Sequence, residues 1–150
     1  MNPRIPPPIV AAVFGVLMWA VNRKLEFGRV EFAFQTPVAM VLLVAGLLLM
    51  LVAVASFVVA KTTVNPLRPS RASSLVTTGI FRLSRNPIYL GDLLVLAALA
   101  VWLGNAVNVV LLVPFVWTIN RFQIIPEERA LTDLFGERYV AYCSRVRRWL

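Results

Sequence analysis

The apolar residues of this chain do not recur at every second or every third to fourth position but run together in four long blocks. Ile9–Val21, Val38–Ala60, Ile88–Leu103 and Ala106–Ile119 are almost free of charge, and polar, proline-bearing stretches separate them. Uninterrupted blocks of this length predict helices that are apolar all round, the pattern of membrane spans rather than of amphipathic surface helices. The expected spans are about 8–24, 37–60, 87–103 and 105–121. The first is short and borrows from its flanks, and Gly104-Asn105 makes a tight turn between the third and fourth. The loop 22–35 interleaves Phe27, Phe32 and Phe34 with Arg23, Lys24, Glu26, Arg29 and Glu31, as an interfacial segment does, and the last stretch, 122–150, also mixes acidic, basic and apolar residues. Leu131, Leu134 and Phe135 share one helical face there, which Tyr139, Tyr142 and Val146 continue past Gly136. This predicts an amphipathic helix lying on the membrane or packing on the polar loop 61–86. The fold class expected is all-α: one integral membrane helical bundle of about four transmembrane helices plus a C-terminal cytoplasmic amphipathic helix.

Composition agrees with the pattern. Of 150 residues, 59% are hydrophobic, and the mean hydropathy is +0.78, too apolar for an ordinary soluble domain. The run after Arg4 lacks a small-x-small cleavage site and reads as a retained first span, not a signal peptide. The net charge of +8 lies in the gaps between the apolar blocks, as membrane topology places it, and not in the surface stripe of a nucleic-acid binder. With both termini on one side, that side carries twelve Lys and Arg residues: one before the first span, five in 61–86 and six after Ile119. The other side carries three. The excess puts both termini in the cytoplasm, as in a multi-pass protein of a bacterial inner membrane. Pro66 and Pro69 rule out a long helix through the first half of the 61–86 loop.

Several chemistries are excluded. There is no histidine, and the single Cys143 can form neither an internal disulfide nor a zinc motif. No nucleophile is paired with a base, and no glycine-rich loop cradles phosphate. What remains lies at the cytoplasmic face. Thr77–Asp92 carries a basic loop straight into the third apolar block, with Asn86 as the expected N-cap and Pro87 at the first helical position. The open amides of such a helix start, with Arg82 and Arg85 beside them, favour anions. Glu127 and Glu128 follow Pro126, a second expected helix start, where acids also suit the helix dipole. Arg121 stands at the exit of the fourth block, where arginines commonly act as snorkelling anchors. Asp92 lies about a turn and a half inside the third, where a charge costs up to about 2.5–3.5 kcal/mol and marks either a function or access to water. A pocket of arginines, two glutamates and a helix start, half sunk in a membrane, suits a polar cofactor carrying both positive and negative charge beside a lipid-like substrate.

At these residues the chain resembles the isoprenylcysteine carboxyl methyltransferase and phospholipid methyltransferase superfamily of membrane enzymes. The matching pieces are Leu75–Arg82, Ser84–Gly91, Pro126–Leu131, Phe135–Tyr139 and Tyr142–Leu150. The family's arginine-histidine-proline-x-tyrosine box stands here as Arg85-Asn86-Pro87-Ile88-Tyr89. The resemblance implies S-adenosylmethionine as methyl donor, bound at the cytoplasmic side. By position Arg85, Asn86, Pro87, Tyr89 and Leu90 would form the adenosine pocket, and Glu127 and Glu128 would hold the donor's polar end. Arg121 would lie between donor and acceptor, with Glu128 and Asp92 as the other candidate catalytic groups. Asparagine replaces the family's histidine and cannot titrate. The acceptor implied is a lipophilic small molecule or lipidated substrate, methylated on a carboxylate or on an amine. A carboxylate needs only a cation to hold it; an amine needs a group to take its proton. Two other readings are a sterol-reductase-like enzyme using a reduced nicotinamide cofactor and a non-catalytic membrane subunit.

Overall fold

The computed structural model describes residues 5–61 and 74–150. Met1–Arg4, and Arg68, Arg71, Pro66 and Pro69 of the polar loop, lie outside the described residues. The described residues are mostly helical: α1 (Pro7–Lys24), α2 (Gln35–Val59), a 3-10 turn (Gly79–Arg82), α3 (Pro87–Leu103), α4 (Ala106–Val110), α5 (Leu112–Ile119), a π-helical turn (Asn120–Ile124), α6 (Ile125–Phe135) and α7 (Glu137–Cys143). Among the described residues the only β pairing is an isolated bridge between Arg29 and Asn105. Two stretches are long and apolar enough to cross a membrane, Gln35–Val59 and Ala106–Phe135. Helix α3 is as apolar but shorter, with 17 residues.

Helix α3 is the centre of the bundle and packs against α1, α2 and α5. Its inner residues Tyr89, Leu96 and Ala100 meet Val10 and Met18 of α1 and Phe115 and Ile119 of α5 in the main apolar core. The α2–α3 contact is of another kind. Ala39, Gly46 and Ala53, seven residues apart, are the buried residues of α2. Small residues at heptad spacing let two backbones approach closely, the usual solution where lipid removes the hydrophobic drive for helix association. A Cβ on Gly46 would stand 2.8 Å from the Gly91 carbonyl oxygen and 3.1 Å from Leu94 Cβ.

The α3–α4 turn is pinned from outside. Gly104 takes a left-handed conformation (φ 61°) and closes α3, and Asn105 Oδ1 accepts from Val107 N at 2.9 Å to start α4. The other end of that amide donates to the Leu25 and Phe27 carbonyls, both at 3.2 Å.

One expected boundary moves. The fourth helix does not end near 121 with a new one starting at Pro126; the helical chain runs unbroken from Ala106 to Phe135. It passes Pro126 by way of the π turn, whose wider ring relieves the clash a proline makes with the preceding turn of an α-helix. Side chains hold this turn in place. Gln123 Nε2 donates to the Ile5 carbonyl at 2.6 Å, and Asn120 Oδ1 accepts from Trp149 Nε1 at 3.2 Å. Beyond Gly136, which turns the chain at φ 54°, α7 folds back. Tyr139, Tyr142 and Val146 pack with Leu131, Phe135 and Leu75. The apolar face expected for this segment therefore sits on the polar loop, except that Leu134 is exposed.

Candidate active site

The starts of α1 and α3 and the ends of α2 and α5 meet at one end of the bundle, and α6 and α7 close over it. Between them lies a cavity of about 390 Å³, within the roughly 300–1,000 Å³ range of small-molecule sites. Its lining is mixed. Pro7, Pro8, Met50, Val54, Phe57 and Leu131 make an apolar wall, and Arg85, Asn86, Tyr89, Asp92, Glu127 and Glu128 supply the polar groups.

The polar wall is built by side chains far apart in sequence. Glu128 accepts two hydrogen bonds from Arg148, from Nη2 to Oε2 at 2.6 Å and from Nε to Oε1 at 3.0 Å. Its Oε1 also meets Arg85 Nη1 at 3.1 Å. The bidentate fork is the strong geometry for a guanidinium on a carboxylate, and bonding to Glu128 holds Arg148 above the usual arginine range. Tyr89 donates its hydroxyl to Glu127 Oε1 at 2.6 Å. Arg85 Nη1 reaches Cys143 Sγ at 2.6 Å, while Arg85 Nε is buried with no hydrogen-bond partner among the described residues.

The sequence also stitches this wall to the C-terminus. Asn86 occupies the N-cap position of α3, but its side chain does not cap the helix. The Asn86 amide donates instead to the Arg148 carbonyl at 2.9 Å, and Arg85 N donates to the Arg147 carbonyl at 3.1 Å. Buried Ser84 supports both: Oγ accepts from Asn86 N at 3.1 Å and donates to the Arg148 carbonyl at 3.4 Å. In this role Asn86 acts as a hydrogen-bond donor, so an asparagine serves without any need to titrate.

Seven of the expected residues thus share one cavity: Arg85, Asn86, Pro87, Tyr89, Asp92, Glu127 and Glu128. Leu90 and Arg121 are not on its lining. Leu90 is half-buried on another face of α3, and Arg121 is exposed in the π turn. Arg148 was not among the expected site residues although it ties Glu128 to Asn86; the only signal in the sequence was the match of Tyr142–Leu150 to the family's closing piece.

Tyr142 locks α7 to the loop, donating its hydroxyl to the Phe81 carbonyl at 2.6 Å. Burial pushes its phenol up from 10.0 to about 12, and Tyr139 beside it is pushed up by burial as well. A raised phenol pKa means that the folded state keeps the proton longer than the unfolded one. The Tyr142 contribution is complete below about pH 10 and is lost as pH rises through about 12. Melting curves between pH 9 and 12 should show this loss in the wild type. Tyr142→Phe should start about 1 kcal/mol less stable and lack that part of the alkaline decline.

Comparison with known proteins bears on this cavity. A family model described as phospholipid methyltransferase matches residues 34–138. An uncharacterized protein of Haemophilus influenzae is 44% identical over 63 residues, 42% of this chain and all of that one. Protein-S-isoprenylcysteine O-methyltransferase B of Arabidopsis thaliana is 32% identical over 80 residues, 53% of this chain and 41% of the plant protein. A probable protein-S-isoprenylcysteine O-methyltransferase of Oryza sativa subsp. indica is 28% identical over 116 residues, 77% of this chain and 61% of the rice protein. The matches thus span less than two thirds of these plant proteins. No solved structure matches the chain.

Proposed function

This chain belongs to the phospholipid methyltransferase family, and we propose on that premise that it moves a methyl group from S-adenosylmethionine to a lipophilic acceptor at the cytoplasmic face of a membrane. Family and relatives support a membrane methyltransferase. The observation that carries the finer reading is a cavity lined both by a carboxylate and guanidinium cluster and by apolar side chains. In the proposed topology α1, α2, α3 and the long Ala106–Phe135 helix cross a bacterial inner membrane, with both termini and the cavity on the cytoplasmic side.

The residues fit such a donor. Its amino-acid end carries a carboxylate and an ammonium. The unpartnered Arg85 Nε suits the first, and Glu127 and Glu128 suit the second or the ribose hydroxyls. Asn86, Pro87 and Tyr89 would line the adenosine side. When bound, S-adenosylmethionine supplies a methyl group already activated on a sulfonium. The protein then has to align acceptor and donor and keep water out. Tyr89 fixes Glu127, and Arg148 with Arg85 fixes Glu128, so both carboxylates are oriented before any ligand arrives. The apolar wall would take the acceptor's hydrocarbon part. The plant relatives' names point to an isoprenylcysteine-like carboxylate acceptor.

The direct test is calorimetric titration of detergent-purified protein with S-adenosylmethionine and S-adenosylhomocysteine. Micromolar binding of both is expected. A folded protein that binds neither overturns the reading and turns attention to reduced nicotinamide cofactors.

A further inference from the structure

A second pocket opens at the other end of the bundle. The end of α1, the start of α2, the end of α3 and the loop between α1 and α2 surround a cavity of about 630 Å³. The 17 residues of α3 separate it from the candidate active site by about 25 Å. That is close to the roughly 30 Å of a bilayer's hydrocarbon core. In a membrane the two pockets therefore stand at the headgroup levels of opposite leaflets.

Backbone contacts fix the shape of this pocket. Val30 N donates to the Gly104 carbonyl and Ala106 N to the Gly28 carbonyl, both at 2.8 Å, and fasten the loop to the turn after α3. Gln35 Nε2 donates to the Val101 carbonyl at 2.9 Å and to the Trp102 carbonyl at 3.1 Å. A side chain of α2 thus satisfies open carbonyls in the last turn of α3.

The charges of the pocket are unmatched. Arg29 and Glu31 both line it, and neither forms an ion pair or a side-chain hydrogen bond among the described residues. Two opposite charges in one pocket that do not pair with each other suit the two ends of a zwitterion. Asn22, also on the lining, has a buried Oδ1 with no hydrogen-bond partner among the described residues, a further acceptor that lacks an N–H donor. Trp102 and Phe32 line the same pocket as exposed rings. Such rings settle at headgroup level, where acyl chains begin. A lipid covers them, and a small water-soluble zwitterion does not.

We propose that this pocket binds the headgroup of a zwitterionic phospholipid in the leaflet opposite the active site, its phosphate on Arg29 and its primary ammonium on Glu31. The guanidinium fork matches phosphate oxygens, and the ammonium brings the N–H donors that a carboxylate takes. A trimethylammonium has no N–H to give, and a glycerol headgroup has no positive charge, so ethanolamine is the headgroup that fits. The lipid is held here and not methylated. The inference rests on the membrane-spanning bundle and not on the methyl donor, so the donor titration above can fail while this site stands.

The test is native mass spectrometry of the full chain in detergent, titrated with phosphatidylethanolamine, phosphatidylcholine and phosphatidylglycerol of the same acyl chains. Phosphatidylethanolamine should bind at least about tenfold more tightly than either, the scale of one charge-assisted hydrogen bond. Arg29→Gln should weaken it by a similar factor, and Glu31→Gln should remove its advantage over phosphatidylcholine. Both variants should melt with the wild type in lipid-free detergent, because neither side chain has a partner to lose. A lipid taken into the other cavity would be blind to both substitutions. Three results overturn the proposal: phosphatidylethanolamine affinity unchanged in both variants, phosphatidylcholine or phosphatidylglycerol bound as tightly in the wild type, or free phosphoethanolamine competing at the lipid's own concentration. The last would identify a water-soluble ligand instead.

Discussion

Glu128→Ala should lose donor binding by a hundredfold or more, on the order of 3 kcal/mol, and should loosen the C-terminal segment as well. The reason is the number of groups that converge on this carboxylate. It holds Arg148 through two bonds and Arg85 through a third. Removing it leaves the Arg85 and Arg148 guanidiniums without the carboxylate that both bind. The pairs are neither on the open surface nor fully buried, with side chains 14–37% exposed. The stability cost should fall between the surface and buried limits, at about 2 kcal/mol. Glu128→Gln separates the two effects. It keeps the shape and one acceptor oxygen, so the fold should survive while the affinity for S-adenosylhomocysteine still falls sharply. Calorimetry and thermal melting on the same samples decide. If Glu128→Ala binds S-adenosylhomocysteine like the wild type, the acids are not part of a donor site.

Gly46→Leu should fail to give a stable bundle. The obstacle is backbone, not a side chain that can swing aside: even a Cβ here lies 2.8 Å from the Gly91 carbonyl oxygen and 3.1 Å from both Leu94 Cβ and Val95 Cγ2. Overpacking a well-filled site costs about 1–3 kcal/mol, and here the two helices must separate along their main line of contact. Helix α2 packs on α3 and on the 3-10 turn, where Phe57 meets Phe81 edge to face at 5.0 Å. Little else would hold it. Gly46→Ala would gain about 1 kcal/mol of helix propensity, yet it should still melt below the wild type, because its Cβ meets the same carbonyl. Monodispersity in detergent and the melting temperature measure both. A Gly46→Leu protein that elutes and melts like the wild type would show that the close approach carries no stability.

Much of this arrangement was legible in the sequence because local rules govern it. Helices α2 and α3 begin and end within a few residues of where their uncharged runs begin and end, and Gly104-Asn105 is the turn its residue types demand. Glu127, Glu128, Arg85 and Tyr89 were recognisable from polar residues placed at the edges of apolar runs and from motif spacing. What escaped depends on rotation and on distant partners. Asn86 has the composition of a cap, but a carbonyl 62 residues away competes for its amide. Arg148 reaches Glu128 only because the chain folds back beyond Gly136. Arg121 and Glu128 are seven residues apart and would share a face of a straight α-helix. The π turn between them turns Arg121 outward and Glu128 inward.

That turn also has a meaning for counting. A π turn holds one residue more than the α-helical path it replaces, and one residue corresponds to about 100° of rotation. Everything before Asn120 is oriented by the core of α1, α3 and α5; everything after Ile124 is oriented by that extra step. Deleting exposed Phe122 would take out that one residue, so the turn would close to a plain α-helical path and both glutamates would keep facing the cavity, with Pro126 then meeting the preceding turn as it does in any α-helix. A chain one residue shorter between the equivalents of Ile119 and Pro126, with a plain α-helix there, would present the same face to the same cavity. A single gap in that short interval is therefore compatible with a shared site, whereas a gap just outside it, which no wide turn absorbs, would turn α6 by about 100°.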